Sequence, residues 1–535
     1  MAGISNNVPD VCPIRQMDDI TRLHRFLCMG AECGTYYPGE RPLMKDHADC
    51  IARLITEGHG EFVVKEILRF SSQELSIKER PVIFALALCA RNDDPADKKD
   101  HKTKMAAYAA LADICRLPPQ LFAFVDFAQA NSGKTTGWGR AQRKALNNWY
   151  RKKTPRDLAV LVTKYIQRGG WTHVDIFRLA HVKPVNEAMT AIMKFAVKGL
   201  DAVKKDYEKD GLSDDMKCIL RFLEAVHTVK HSNDEHQIAR LIEEYHLTPE
   251  YVPTQFSKSQ EIWYALLHEL PVKDMIRLLG RMSAIGLLEP LSNPAKLVID
   301  KLSSEQTIQS EKIHPIEFLI AMKIYEGGKG DKGKVKWFPN GNVIDALNRA
   351  FLNSYKFIQP TNSRYLLAVD VSGSMAYGNV NGCQGVSPAV AAAAMAMLIA
   401  RTEKEYQMVA FSTGITPVQL NAQMDLLHVC KIIAELPSGG TDCAIPILWA
   451  MENKRAVDVF MVITDCETLS AGIPPSDALK KYRQLMGLPN TRMVVCALTS
   501  NGFTLADPSE NGMLDIAGFD AGVPLLINNF VKGII

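Results

Sequence analysis

The sequence predicts an α-helical, HEAT-like repeat array followed by an α/β doubly wound domain, and three observations lead there. From about Asp18 to Tyr355, apolar residues recur at helical spacing in runs of roughly ten to fourteen, each cut by Gly, Pro or Asn. After Pro360 the period changes to apolar runs of strand length that alternate with helical stretches. The basic excess of the chain sits in one segment of the helical part, while the part after Ser363 is acidic.

The first helix is read from Asp18-Asp19, an acidic first turn, followed by Ile20, Leu23 and Leu27 on one face. Similar runs follow at 48–56, 62–70, 82–89, 104–115, 141–150, 157–167, 187–197, 217–229, 234–245, 261–270 and 273–282. So many short amphipathic helices cannot share one bundle core. Stacked helical hairpins of about 40 residues each bury every apolar stripe on a neighbour. The glycines of Glu326–Asn342 (Gly327, Gly328, Gly330 and Gly333) mark a flexible loop, and a last helix over 343–355 closes the helical part.

Beyond it, 365–369, 408–411, 457–463 and 493–498 read as strands apolar on both faces. Helical stretches at 388–405, 424–435, 445–451, 476–486 and 523–531 lie between and after them. That alternation means a parallel sheet covered on both sides. The expected division is a flexible start over 1–15, a helical domain over 16–360 and an α/β domain over 361–535.

The chain has 535 residues, 47% hydrophobic and 23% charged, which excludes a disordered or fibrous class. No apolar stretch approaches the length of a membrane span, and the N-terminus lacks the apolar core of a secretory leader. The twelve cysteines form no C-x-x-C pair, so they read as reduced thiols in the cytoplasm, with nuclear residence left open. The net charge is +3 overall. Lys134–Lys198 alone holds fourteen Lys and Arg against Asp157, Asp175 and Glu187, a net of +11, so the remainder is acidic. Such an asymmetry points to a polyanionic partner on one face.

The first strand of the α/β part ends in Asp370-Val-Ser372-Gly-Ser374, a carboxylate and two hydroxyls on one tight turn. Thr441 stands in a glycine-rich turn (Ser438-Gly-Gly-Thr441-Asp442), and Asp465 ends the 457–463 strand. Ligands bind beyond the carboxyl ends of parallel strands, so all five are expected together. Few and mostly neutral oxygen donors suit a hard divalent cation such as Mg²⁺. The five residues in this order resemble the metal-ion-dependent adhesion site of von Willebrand factor A domains. That resemblance implies direct coordination by Ser372, Ser374 and Thr441, with Asp370 and Asp465 acting mainly through waters.

In the basic segment, Arg140, Arg143 and Lys144 share one helical face, Lys164 and Arg168 are expected on one face of the next helix, and Arg178, His181 and Lys183 lead into Pro184. Phosphates are drawn to such a surface without sequence choice, and Trp, His and Arg planes stack on unpaired bases. Several phrases there and elsewhere are specific: Arg22-Leu-His-Arg-Phe-Leu-Cys28, Gly34-Thr-Tyr-Tyr37, Trp138-Gly-Arg-Ala-Gln-Arg-Lys-Ala145, Val162-Thr-Lys-Tyr-Ile-Gln-Arg168, Gly170-Trp-Thr-His-Val-Asp175, Arg178-Leu-Ala-His-Val-Lys-Pro184 and Thr499–Pro508. With the A-like domain behind them, the chain resembles the Ro ribonucleoprotein family, defined by a TROVE module. It departs from the family phrase at 131–136 and 151–153.

The resemblance implies helical repeats closing into a ring joined by the A domain. Y RNAs bind outside, and single-stranded ends of misfolded small noncoding RNAs enter the hole, in RNA quality control. It implies Lys164, Arg168 and His181 on Y RNA, with Arg140, Arg143 and Lys144 on the RNA-facing surface nearby. The expectation is a non-enzymatic, monomeric RNA scaffold with no membrane association and a protein carboxylate as one potential ligand of the metal. Two alternatives stay open: a metal-dependent RNA-processing enzyme using Asp370 and Asp465, and an A-domain interaction module with incidental RNA binding.

Two motifs are set aside. Residues 128–135 match a relaxed phosphate-loop pattern, but in helical territory with one glycine. His227, His231 and His236 invite a zinc reading, yet a helix start near Asn233 separates the third.

Overall fold

The computed structural model describes residues 17–39, 41–92, 101–132, 137–207, 211–330, 335–383, 385–436, 439–465, 472–499, 505–507 and 510–535. The expected start over 1–15, the Gly133-Lys134-Thr135 end of the phosphate-loop pattern and the middle of the glycine-rich loop lie outside them. Described residues fall into two compact units. One comprises residues 23–30 and 43–270; the other comprises 17–22, 31–42 and 271–535.

The first unit is almost wholly helical. Helix 79–90 packs on 118–130, 60–72 on 102–114, 102–114 on 140–151, 155–164 on 187–198, and 187–198 on 214–231. These helices bury their stripes against the helix two places on, and 79–90 on 102–114 and 235–245 on 260–269 pack as successive pairs, the two kinds of contact a repeat stack uses. Starts are marked by Thr154, Thr172, Asn186, Ser213, Asp234 and Ser259, whose side chains accept backbone N–H groups of the first turn. The last of these helices ends at Glu269.

In the second unit, helices 272–284, 293–303, 315–326 and 341–354 pack on one another. The same unit holds the sheet. Its strands are β1 (Thr35–Tyr36), β4 (Tyr365–Asp370), β5 (Tyr406–Phe411), β6 (Ile415–Val418), β7 (Val459–Thr464), β8 (Arg492–Ala497) and β9 (Met513–Ala517), while β2 (Gln167–Arg168) and β3 (Trp171–Thr172) form a separate hairpin in the first unit. The sheet order is β1-β9-β8-β7-β4-β5-β6, with only β5–β6 antiparallel. β4 and β7 are buried along their whole length, as a sheet covered on both faces demands.

β1, β6 and β9 go beyond the expected strands. The apolar run of β9 is broken by the buried Asp515, and β6 carries Pro417, tolerated because the strand lies at an edge. Asp515 accepts from Ala506 N (3.2 Å) and lies 3.5 Å from Thr35 Oγ1 on β1. Burial pushes its carboxyl up to about 7. The ten described cysteines are all free thiols.

Candidate nucleic-acid groove and metal site

The chain runs from β4 out to β5 on one side, then returns so that β7 lies on the other side of β4. The strand order therefore reverses between β4 and β7, and a crevice opens at their carboxyl ends. Three loops meet there. Asp370 closes β4, level with Thr464 at the end of β7, and the 439–444 turn crosses beside them. The Asp370 carboxylate accepts from Ser372 N (2.8 Å), from Thr441 Oγ1 (3.2 Å to either oxygen) and from Thr464 Oγ1 (2.7 Å). Ser372 Oγ and Ser374 Oγ are 3.1 Å apart. Asp465 is buried next in line after Thr464. Burial raises the Asp370 carboxyl above its ordinary range and the Asp465 charge adds to this, while the bonds from Thr464 and Ser372 oppose it.

The structure thus places all five sequence-chosen residues at one crevice. Sequence reasoning noted the Thr464-Asp465 strand end but gave no role to Thr464, whose hydroxyl makes the shortest of these bonds to Asp370. Its signal was the Thr-Asp ending of an apolar strand. Among the described residues no group of three or more His, Cys, Asp or Glu could hold a metal. The crevice donors are instead three hydroxyls backed by two carboxylates.

The basic segment folds into a groove of about 740 Å³ in the first unit. From helix 140–151 it takes Arg140, Arg143, Lys144 and Arg151, and from the turn after helix 173–179 it takes His181 and Lys183. No acidic side chain is among its lining residues. The three acids of the segment go elsewhere: Asp157, Asp175 and Glu187 each occupy the first turn of a helix, where a carboxylate offsets the dipole.

Asn147 joins the two walls. Its Nδ2 donates to Ala180 O (2.7 Å), and its Oδ1 accepts from Lys183 N (3.1 Å). The turn between these points ends helix 173–179 as a Schellman motif, with Val182 N on Phe177 O (3.0 Å) and His181 N on Arg178 O (3.3 Å). The position that motif usually gives to glycine is filled by His181, at φ 51°. A non-glycine side chain there is held against its own backbone preference. Sequence reasoning selected His181 but passed over Asn147, which reads locally only as an indifferent helix residue.

Lys164 and Arg168 do not share a helix face, contrary to expectation. Helix 155–164 ends at Lys164, whose ammonium lies 3.5 Å from Glu250. Arg168 stands exposed on β2. Gly169 (φ 56°) and Gly170 (φ 82°) form the two-residue turn to β3, a conformation that requires positive φ at both centres and breaks any helix. The hairpin contacts the start of helix 140–151 through Trp171 and Trp138, whose rings lie 5.8 Å apart. The Trp138 carbonyl in turn accepts from Arg143 Nε (2.8 Å). Neither Lys164 nor Arg168 lines the groove.

Beneath it, Tyr150 OH and His173 Nδ1 share a buried hydrogen bond of 2.9 Å, and burial lowers the imidazole to about 4. His227 and His231 stack at 4.1 Å, whereas His236 begins the next helix and pairs with Glu261 (2.6 Å). No described helix is long and apolar enough to cross a membrane.

Comparison with known proteins covers both parts of the chain. Residues 10–323 match the TROVE domain family and residues 364–531 match the Ro60 vWA domain family. The chain is 33% identical to the RNA-binding protein RO60 of Caenorhabditis elegans over 97% of its length and 88% of that protein's. It is also 33% identical to the RNA-binding protein RO60 of Deinococcus radiodurans, covering 97% and 93% of the two chains. The crystal structure of the Deinococcus radiodurans RO (RSR) protein superposes with a TM-score of 0.86 at 33% identity, over 97% of this chain and all of that one. With a TROVE module, an A domain and near full-length identity all present, this chain belongs to the Ro family of TROVE and von Willebrand factor A proteins.

Proposed function

We propose that this chain is a non-enzymatic RNA-binding scaffold. One observation carries the proposal: five cations and a histidine converge on a single groove with no acid among its lining residues. The relatives named as RNA-binding proteins support the same reading. Arg140, Arg143, Lys144, Arg151 and Lys183 take backbone phosphates, and His181, held outward by its turn, stacks on an unpaired base. Arg168 extends the surface from the hairpin. Lys164, shared with Glu250, contributes less. The RNAs proposed are Y RNAs and the single-stranded ends of misfolded small noncoding RNAs, bound by a cytoplasmic protein in RNA quality control.

We further propose a resident Mg²⁺ at the crevice. Its donor set fits: neutral hydroxyl oxygens of Ser372, Ser374 and Thr441, with Asp370 and Asp465 behind them, match a hard cation that keeps its waters. Such an ion leaves charge for an external carboxylate or phosphate. Asp370 orients Thr441 and the backbone of Ser372, and Thr464 steadies Asp370. Two buried carboxylates are too few for the clustered carboxylates of a two-metal nuclease, which favours the scaffold over an RNA-processing enzyme.

A salt titration of binding tests the groove. Each phosphate contact on a single strand contributes about −0.7 to the slope of log K against log salt. Replacing Arg140, Lys144 and Arg151 by alanine together flattens the slope by roughly two units. An unchanged slope places the footprint elsewhere. RNA cleavage in Mg²⁺ that disappears in Asp465→Ala would establish the enzyme instead.

A further inference from the structure

The segment between helices 315–326 and 341–354 is unused by either site, and its described ends are built with care. Lys329 and Lys336 face each other in an antiparallel bridge, and Trp337 N donates to Gly328 O (3.0 Å). The Trp337 indole donates to Tyr325 O (2.8 Å), lies parallel to the Tyr325 ring and covers Gly280, where any Cβ would come within 2.6 Å of it. Three residues on from Trp337, Asn340 N donates to Tyr325 OH (3.0 Å), and Asn340 Nδ2 donates to Leu288 O (3.1 Å). Between these two anchors Phe338 is 96% exposed.

An aromatic ring left in water on a mobile tip needs no explanation. Here both flanks are pinned, and the following Pro339 confines Phe338 to extended backbone. The ring is therefore presented at little entropic cost to whatever covers it. Its exposed neighbours Lys329 and Lys336 are cationic, while the nearby Glu326 is already paired with Lys323 (2.9 Å). A flat π face next in the chain to a bridged pair of exposed ammonium groups matches an unpaired nucleobase and the phosphates that follow it. A protein partner would need a wider apolar patch than one ring beside Val335.

We propose that Phe338, next along the chain from the bridged Lys329 and Lys336, is a stacking platform for an unpaired base of single-stranded RNA, distinct from the groove at Arg140–Lys183. The assignment rests on the reading of the chain as an RNA binder, and its test separates the two. The full chain is titrated with a 2-aminopurine-labelled single-stranded oligonucleotide and with a blunt RNA duplex. The proteins compared are wild type, Phe338→Ala, Phe338→Tyr and the Arg140→Ala/Lys144→Ala pair.

Phe338→Ala weakens single-strand binding between about 5- and 150-fold, the span of one base–aromatic stack, and restores the fluorescence that stacking quenches. Phe338→Tyr returns affinity to within about twofold, because stacking is retained. Duplex binding is unchanged in both, and the groove pair weakens either RNA. Wild-type affinity of Phe338→Ala for the single strand, or an equal loss on the duplex, overturns the platform while leaving the groove intact. Absence of binding by the wild-type protein to either RNA overturns the RNA reading itself.

Discussion

Replacing Asn147 with alanine removes the clamp that makes one surface out of helix 140–151 and the 180–183 turn. Two hydrogen bonds between elements are lost, to Ala180 O and from Lys183 N. Each contributes about 0.5–1.5 kcal/mol net, so the pair contributes about 1–3 kcal/mol, less about 0.6 kcal/mol that alanine returns as a better helix former. The expected loss of stability is therefore about 0.5–2.5 kcal/mol, read as a fall in the urea midpoint at unchanged slope.

The loss of RNA affinity has another origin. Without the clamp, the turn is free to leave the left-handed conformation that His181 adopts at φ 51°. His181 and Lys183 must then be ordered at the moment of binding. Fixing one residue costs about 1–2 kcal/mol, which corresponds to roughly 5- to 30-fold weaker RNA binding. His181→Gly separates the two effects. Glycine relieves about 1 kcal/mol of left-handed strain, partly offset by its own chain entropy, so stability holds or rises while RNA affinity falls.

The assay is fluorescence anisotropy on a single-stranded oligonucleotide in four proteins: wild type, Asn147→Ala, His181→Ala/Lys183→Ala and the triple variant. If positioning is the mechanism, the Asn147 penalty on binding vanishes once His181 and Lys183 are gone, giving a coupling near the whole single effect. A penalty that persists undiminished in the triple variant, or Asn147→Ala binding like wild type despite its lower urea midpoint, would refute the reasoning.

Two further outcomes are expected. Ser372→Ala combined with Thr441→Ala abolishes stabilisation by Mg²⁺ in thermal denaturation while leaving affinity for RNA at the groove nearly intact; retained Mg²⁺ stabilisation would move the cation elsewhere. Asp515, with its carboxyl raised by burial from the ordinary 3.8 to about 7, keeps its proton in the native state where the unfolded chain has released it. Its contribution is therefore fully present below about pH 3.8 and is lost as pH rises toward 7. Asp515→Asn removes that part of the pH dependence of the urea midpoint, and a midpoint profile identical to wild type would show that Asp515 ionises normally.

How far each feature was legible depends on how locally it is specified. The gathering of Asp370, Ser372, Ser374, Thr441 and Asp465 at one crevice was readable because each ends a strand or sits in a glycine turn, and a parallel sheet with helices between its strands brings such ends together. Groove residues Arg140, Arg143 and Lys144 were readable because helical spacing alone puts them on one face. Lys164 and Arg168 were misplaced by the same rule. A separation of four looks helical, yet the Gly169-Gly170 pair just beyond, flanked by Gln167-Arg168 and Trp171-Thr172, is a hairpin signal and outweighs it. β1 had no local signal at all, because its two residues become a strand only by pairing with Asp515 and Ile516 at the far end of the chain.

Asn147 and Phe338 mark the deeper limit. Asn147 is indifferent in its own helix and acquires a role only when the Ala180 carbonyl and the Lys183 amide arrive from another element. Phe338 falls in the stretch read from sequence only as a flexible loop. Only the geometry shows Trp337 turned onto Tyr325 and Gly280 while its neighbour faces water. Both residues depend on contacts, or on their absence, between segments far apart in the chain. Residues that line a basic groove can be found by charge and spacing. Residues that aim others, and aromatic rings left in water on pinned backbone, have to be found by asking which backbone positions are held against local preference and what is left exposed when they are.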